Sequence, residues 1–297
     1  MTAVQKKRPA QRSGGGLWSA VKWTIAIGAA GALSGVFLLI FVFAYIYQQL
    51  PSIDVLTDYR PKVPLRVWSA EGRLIGEFGE ERRDFVRIAD VPKHVKDAIL
   101  CAEDDGFYEH HGIELMGIAR AAIVNVLTGR RGQGGSTITM QVARNFFLTT
   151  ERSYTRKLYE IAMSFKIENE LTKDQILEIY MNQIYLGQRA YGFEAAAKTY
   201  FGRPLAEISV GEAATIAGLP VAPSAYNPIV NPTRATMRRN YVLRRMYDLG
   251  RIDELTYQTE KSLPMEVRRA VELNAVKTSE RADSDVCLLY TSDAADD

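Results

Sequence analysis

CAEDDGFYEHHGIEL, residues 101–115, places three consecutive acidic residues between an apolar helical pattern and a glycine-containing turn. The apolar positions before it, from Val95 to Ala102, recur at helical spacing, so a buried helix is predicted to run directly into Glu103, Asp104 and Asp105. A carboxylate at the end of a buried helix loses part of its hydration, which raises its pKa and suits general acid–base chemistry. Taken alone, an exposed acidic helix end followed by a loop is the more common source of this pattern.

Further helices are predicted downstream of this stretch. Two apolar stripes at helical spacing follow it: Leu115, Ile118, Ala119, Ala122, Ile123 and Val126, ended by Gly129, and then Leu158, Ile161, Ala162 and Phe165. Capping boxes begin two helices, from Thr172 with Gln175 to about residue 185 and from Ser209 with Glu212 to about residue 219. A long basic helix covers 234–249. Residues 91–250 are therefore predicted to form one mainly α domain.

The part of the chain before this domain predicts a membrane anchor and a short β segment. Residues 23–47 carry no charge, and the run is longer than the 20 or so residues that cross a bilayer. It is also longer than the apolar core of a signal peptide, which has about 7–15 residues, so a membrane-spanning helix is favoured. Residues 1–22 contain basic but no acidic residues, so they are predicted to stay in the cytoplasm, with everything after about residue 48 outside it. Over residues 48–90, prolines predict a linker, and a Glu71-Gly72 turn between short alternating stretches predicts a small β-hairpin.

Composition and the C-terminal end set further limits. A net charge of +2 over 297 residues does not indicate a nucleic-acid binder, and two cysteines are too few for a disulfide scaffold. Cys101 is expected to be a buried free thiol, and no cluster of cysteine and histidine indicates zinc. Residues 251–286 are expected to begin a further, truncated segment. Residues 287–297, CLLYTSDAADD, lack periodicity and are expected to be a non-native tail.

Two other stretches could carry chemistry. In GRRGQGGSTITMQVARNFFL, residues 129–148, glycine-rich backbone leads to Ser136 and Thr137, which can cap a helix and offer N–H groups to an anion. An ordinary flexible loop with a helix cap explains this pattern equally well. In SYTRKLYEIAMSFKIE, residues 153–168, Arg156 and Lys157 share a helix face with Glu160. In isolation, this trio is expected to be a surface ion pair of little energetic weight.

Taken in order, the motifs resemble a known family. They are EDDGFYEHHGIE, GGSTITMQVARNFFL, RKLYEIAMSFKIE, ILEIYMNQIYLGQRAYGFEAAAKTYFG and LPVAPSAYNPIVNP. This five-motif order over about residues 52–260 resembles the family 51, or peptidoglycan, glycosyltransferases, and the chain looks like the N-terminal part of a class A penicillin-binding protein. The resemblance implies a mainly α, lysozyme-like glycosyltransferase domain behind one N-terminal transmembrane helix. It implies polymerisation of lipid II into β-1,4-linked glycan with inversion and release of undecaprenyl pyrophosphate.

The resemblance also implies roles for individual residues. Glu103 matches the general base that deprotonates the acceptor hydroxyl, and Glu160 matches a second glutamate near the leaving pyrophosphate. Arg156 and Lys157 match the cationic pair expected to stabilise that pyrophosphate. Positions expected to line the donor site or support the base are Asp104, Phe107, His110, Thr137, Gln141, Arg144 and Asn145. Pyrophosphate departure calls for fixed cations or a divalent metal, so magnesium or manganese is expected, with no ligands assigned.

The implied partners are lipid II, the growing glycan chain, membrane lipid and other cell-wall synthesis proteins, at the bacterial inner membrane with a periplasmic catalytic domain. The sequence departs from the family at Met140, where many members have Gln, and at Asp105 and Gly106, where basic residues are common. Class A members also carry a transpeptidase with S-x-x-K, S-x-N and K-T-G motifs. None of these follows the apolar run, and the one S-x-x-K spacing, Ser19 to Lys22, precedes it. We therefore expect no peptide crosslinking by this chain.

Two alternatives are open, one within enzymes and one from a different functional class. A lytic transglycosylase, which cleaves glycan strands, would use one glutamate as an acid and would need no cations for a pyrophosphate. The adjacent Arg156 and Lys157 argue against it. A membrane-anchored scaffold without catalysis is the second alternative, and the presence of both Glu103 and Glu160 argues against it.

Overall fold

The computed structural model describes residues 15–57, 65–70, 74–78, 82–114, 117, 135–148 and 154–267. The chain divides into two compact units, residues 1–50 and residues 51–297. In the first unit, helix α1 (Gly15–Gln48) contains the segment predicted to cross a membrane. Its portion Val21–Gln48, 28 residues of mean hydropathy 2.5, is long and apolar enough to span a bilayer. The helix predicted over 23–47 is confirmed.

The second unit begins with short elements. Helix α2 (Asp54–Thr57) is followed by strands β1 (Leu65–Trp68) and β2 (Leu74–Phe78), which pair antiparallel with Leu65 opposite Phe78 and an irregularity between Val67 and Trp68. The predicted β-hairpin is therefore confirmed, while its Glu71-Gly72 turn lies outside the described residues. A parallel pair was not predicted: β3 (Arg82–Arg83) lies beside β4 (Ala190–Tyr191), more than a hundred residues later in the chain.

The rest of the second unit is helical. The helices are α3 (Lys93–Glu103), α4 (Ile138–Phe147), α5 (Tyr154–Glu170), α6 (Lys173–Gln183), α7 (Phe193–Phe201), α8 (Val210–Ala217), α9 (Pro232–Asp248) and α10 (Glu254–Ser262). Single 3₁₀ turns cover Ile88–Asp90 and Leu205–Glu207. The mainly α fold is confirmed, and the predicted stripe from Leu115 to Gly129 lies outside the described residues, apart from Gly117.

Local sequence signals explain where these helices begin. Both capping boxes form, so the Thr172 and Ser209 side chains accept from the backbone N–H groups of Gln175 and Glu212. The helices that they begin end at residues 183 and 217, two residues earlier than predicted. Pro92 is the N-cap residue of α3.

Two packing groups position the site. Helix α3 packs against α8 and α9, and α4 packs against α5 and α6. The core they share is apolar and includes Val95, Ile99, Ile138, Met163, Ile176 and Ile216, all with 1% exposure or less. Helix α10 packs on α9, where the rings of Tyr247 and Tyr257 stack at 5.3 Å. The end of α3 and the start of α4 are thereby brought together although 34 residues separate them.

Candidate active site

A cavity of about 370 Å³ lies where the C-terminal end of α3, the N-terminal end of α4 and one face of α9 meet. Its lining is mostly polar and charged: Cys101, Ala102, Glu103, Asp104, Asp105, Glu114, Gly117, Gly135, Ser136, Thr137, Gln141, Arg144, Pro220, Val221, Arg238, Tyr241 and Arg245. Carboxylates and guanidinium groups thus face one space, and the guanidinium groups can bind an anionic ligand such as a phosphate.

Glu103, the last residue of α3, lines this cavity with a carboxylate of which one oxygen is hydrogen-bonded within the described residues and the other is not. The Gln141 side-chain amide donates a hydrogen bond of 2.8 Å to Oε2. Oε1 is buried and has no hydrogen-bond partner among the described residues. Burial raises the pKa of the Glu103 carboxyl, against the lowering effects of the Gln141 hydrogen bond and of the Arg238 and Arg144 charges. The direction is the one expected from the sequence, and it suits a proton acceptor.

Asp104 joins the ends of α3 and α4. Its carboxylate is buried and accepts from the backbone N–H of Ile138 at 3.0 Å and from His110 Nε2 at 3.0 Å. The first of these bonds satisfies a free N–H in the first turn of α4. Phe107, fully buried, packs its ring edge-on against His110 at 6.2 Å. Asp104, Phe107 and His110 therefore hold the turn that follows Glu103.

Thr137 is the N-cap residue of α4, as the glycine-rich loop predicted. Its hydroxyl accepts from the N–H of Met140 at 3.2 Å and donates to the carbonyl oxygen of Gly112 at 2.6 Å. Gly112 has a φ of +79°, a conformation that glycine adopts without strain. The hydroxyl of Ser136 has a different role, because it accepts from Lys157 Nζ at 2.8 Å.

Glu160 forms a second carboxylate centre on α5. Arg156 Nε lies 3.3 Å from Oε1, and Lys157 Nζ lies 2.9 Å from Oε2. The surface ion pair expected from the isolated motif is wrong for Glu160, whose side chain is 2% exposed, because α5 packs this face against α4. Lys157 is 40% exposed and reaches the cavity wall through Ser136.

The residues singled out from the sequence fall into three places. Those that line the cavity are Glu103, Asp104, Thr137, Gln141 and Arg144. Phe107 and His110 support it from behind Asp104. Lys157 reaches it at Ser136, and Glu160 and Arg156 lie beyond Lys157. Asn145 is exposed and does not line the cavity. The buried free thiol expected at Cys101 is confirmed.

Sequence reasoning missed the contribution of α9. Arg238, Tyr241 and Arg245 line the cavity from this helix, and their spacing of three and four residues places them on one face. The guanidinium of Arg238 lies 4.7 Å from the Tyr241 ring centroid. The sequence predicts a basic helix over 234–249, and the spacing of these three side chains within it indicates that they share one face.

The described residues do not provide a metal site of their own. Among them, no group of three or more histidine, cysteine, aspartate or glutamate side chains is close enough to hold an ion. Asp104 is bound by Ile138 and His110, and Glu103 has one oxygen bound by Gln141, which leaves only its Oε1 without a partner among these residues. Magnesium or manganese therefore stays a prediction of the resemblance.

Enzymes that cleave glycosyl groups use two carboxylates beside the reacting bond. This chain places one carboxylate, Glu103, in the cavity and a second, Glu160, with two cations beside it, an arrangement compatible with glycosyl transfer or cleavage. The chain belongs to the transglycosylase family, whose model matches residues 71–247. It is 47% identical over 280 residues to penicillin-binding protein 1A of Pseudomonas aeruginosa, covering 93% of this chain and 33% of that protein. It is also 47% identical over 268 residues to penicillin-binding protein 1A of Neisseria flavescens, covering 89% and 33%.

The chain spans about a third of the length of these curated relatives. Among solved structures, the crystal structure of penicillin-binding protein 1A from Haemophilus influenzae is similar at 32% sequence identity over 71% of this chain and 22% of that one, with a TM-score of 0.42. The family assignment rests on the sequence matches.

Proposed function

We propose that this chain is a peptidoglycan glycosyltransferase that polymerises lipid II into β-1,4-linked glycan strands, with inversion and release of undecaprenyl pyrophosphate. The observation that carries the proposal is Glu103, which lines the cavity and whose Oε1 is buried and has no hydrogen-bond partner among the described residues. Membership of the transglycosylase family and the similarity to penicillin-binding protein 1A support the same reaction.

Glu103 serves as the general base. Its raised pKa brings its proton affinity closer to what deprotonation of a sugar hydroxyl needs, while the Gln141 bond keeps Oε2 fixed and leaves Oε1 for the acceptor. Deprotonation increases the nucleophilicity of the acceptor hydroxyl as it attacks the anomeric carbon. Attack from the face opposite the leaving group inverts that carbon.

Cations serve the leaving pyrophosphate. Lys157 contacts Glu160 and Ser136 and is 40% exposed, so its ammonium is held in place yet open to a ligand at the cavity wall. Arg144, on α4, adds a second positive charge to the cavity lining. Preorganised cations stabilise charge that develops in the transition state without reorganising at that moment. Glu160 keeps Arg156 and Lys157 oriented by its two ion pairs.

Helix α1 anchors the enzyme in the bacterial inner membrane. The basic residues 1–22 then stay in the cytoplasm and the catalytic unit lies in the periplasm. This placement suits a substrate that arrives on a lipid. The growing glycan chain, membrane lipid and other cell-wall synthesis proteins are the proposed partners, and magnesium or manganese is the proposed ion.

The test is incubation of the detergent-solubilised chain with labelled lipid II, with products resolved on a gel. A ladder of polymer from the wild type is expected, with a rate lower by about 10²–10⁴-fold in Glu103→Gln. Glu109→Gln is the matched control, since Glu109 is exposed in the same loop. Cleavage of preformed glycan without polymerisation would identify a lytic transglycosylase. Lipid II binding without either reaction would identify a scaffold.

A further inference from the structure

We infer that Arg245 is a positioning residue for Glu103, and that it acts by clamping the end of α3 to α9. The inference rests on the proposed function, in which Glu103 is the general base. The five motifs assign no role to Arg245. Its partner Asp105 is one of the positions at which this sequence departs from the family pattern.

The clamp has two contacts on either side of Glu103. Arg245 Nη2 donates to Oδ2 of Asp105 at 2.9 Å, and Arg245 Nε lies 3.5 Å from the carbonyl oxygen of Cys101, to which it donates. Cys101 and Asp105 each lie two residues from Glu103 along the chain. A single planar guanidinium from α9 therefore spans the backbone segment that carries the base, a geometry that arginine's fork of donors permits.

The end of α3 needs such a clamp because the helix stops abruptly there. The last carbonyl groups of a helix lack intrahelical partners, and the Cys101 carbonyl is one of these. Asp104, directly after Glu103, has φ of −162° and ψ of 81°, so the chain leaves the helix at once. The Asp104 carboxylate is bound on one side by α4 through the N–H of Ile138. Arg245, from α9, binds the same turn through the Cys101 carbonyl oxygen and the Asp105 carboxylate.

The exposure of the pair indicates that its role is geometric rather than stabilising. The side chains of Arg245 and Asp105 are 33% and 32% exposed and line the cavity. Ion pairs that are accessible to water contribute little to the free energy of unfolding. Misplacement of a reacting group by about 1 Å, in contrast, can cost on the order of 10²-fold in rate. Loss of the clamp should therefore change the turnover more than the stability.

The test compares kcat, KM for lipid II and Tm among variants of the full 297-residue chain. Arg245→Met is expected to lower kcat about tenfold, with KM within about twofold and Tm within about 2 °C. Arg245→Lys can bind Asp105 but cannot span to Cys101, so its kcat should lie between those of the wild type and Arg245→Met. Asp105→Asn should lower kcat by about threefold, and combining it with Arg245→Met should add nothing, because both act through one contact.

Arg244→Met is the matched control. Arg244 is the preceding residue of α9, is 58% exposed and pairs with Asp248 rather than with α3. It should leave kcat unchanged. Equal kcat in wild type and Arg245→Met, or a Tm loss that accounts for the lower kcat, would overturn the inference, and if Arg245→Met does not fold, Asp105→Asn decides it. If the wild type makes no polymer, the proposed function fails and this inference fails with it.

Discussion

The side-chain amide of Gln141, on α4, donates a hydrogen bond of 2.8 Å to Oε2 of Glu103, the last residue of α3. This one bond determines which oxygen of the carboxylate is committed to the protein and which is open to a ligand. It also opposes burial, the main cause of the raised pKa of Glu103, because a donor to a carboxylate favours the charged form. Gln141 therefore sets both the orientation and the proton affinity of the proposed base.

Replacing Gln141 by leucine should move the acid limb of the pH–rate profile to higher pH. The base acts only when ionised, so the rate falls as pH falls through the pKa of Glu103. Loss of a donor that lowers this pKa raises it further, and at a given acidic pH a smaller fraction is ionised. Steady-state polymerisation of lipid II as a function of pH measures the shift. Gln258→Leu, on the exposed face of α10, should leave the profile unchanged, and a Gln141→Leu profile identical to the wild type would contradict the assigned role of the bond.

Glu103→Gln should make the domain more stable at neutral pH. A carboxyl whose pKa is raised by folding binds more protons in the folded than in the unfolded state, so stability falls as pH rises from the unfolded toward the folded pKa. The amide of glutamine stays neutral and avoids this loss. We expect a rise of a few degrees in Tm at pH 7 that disappears at a pH below the unfolded value, measured by thermal unfolding. An equal change in Tm at both pH values would show that the effect is packing and not ionisation.

Glu160→Gln should destabilise the domain and reduce activity together. The carboxylate is 2% exposed and binds Arg156 and Lys157, so its loss removes a buried negative charge that both cations contact. Because Lys157 is 40% exposed, water compensates part of the loss, and we expect about 1–3 kcal/mol in the free energy of unfolding, below the cost of breaking a fully buried pair.

Urea unfolding and lipid II polymerisation of the same preparations measure the two effects of Glu160→Gln. Glu170→Gln, at the exposed end of the same helix, is the matched control and should change the stability by less than about 0.5 kcal/mol. Wild-type stability in Glu160→Gln would mean that the two cations do not depend on this carboxylate.

The helices were predictable where the sequence carries a local signal. The capping boxes at Thr172 and Ser209 and the cap at Thr137 depend on residues three apart, and all three are present. The parallel pair of β3 with β4 was not predictable in this way. It joins Arg82 to Ala190 across more than a hundred residues, and two-residue strands have no periodicity to detect.

The site shows the same division between local and long-range information. The position of Glu103 at a helix end followed from the apolar pattern before it, whereas its hydrogen bond from Gln141 depends on the packing of two helices. The burial of Glu160 was misjudged for this reason. Its neighbours in sequence are cations and suggest a surface, but α4 covers its face of α5. Arg238 and Arg245 reach the cavity from α9, a helix that follows Glu103 by more than a hundred residues.

Gly112 offers a test of how the loop after Glu103 is held against α4. Its φ is +79°, a value that residues other than glycine rarely adopt. A Cβ at this position would lie 3.1 Å from both the backbone carbonyl carbon and the carbonyl oxygen of Ser164. Its own carbonyl oxygen accepts the 2.6 Å bond from Thr137, the N-cap residue of α4. Gly112→Ala must therefore strain the backbone, move α5, or break the Thr137 bond.

We expect Gly112→Ala to lower the free energy of unfolding by about 1–3 kcal/mol, the usual cost of a strained residue in this region of φ. Gly106→Ala is the matched control in the same loop, because a Cβ at Gly106 meets no atom closer than His110 Cδ2 at 4.0 Å and its φ is not positive. Gly106→Ala should change the stability by less than about 0.5 kcal/mol. Urea unfolding of both variants measures the difference, and equal stabilities would show that the Gly112 backbone relaxes without cost. Because displacement of Thr137 also moves the start of the helix that carries Gln141, Gly112→Ala should lower polymerisation as well, while Gly106→Ala should lower it less.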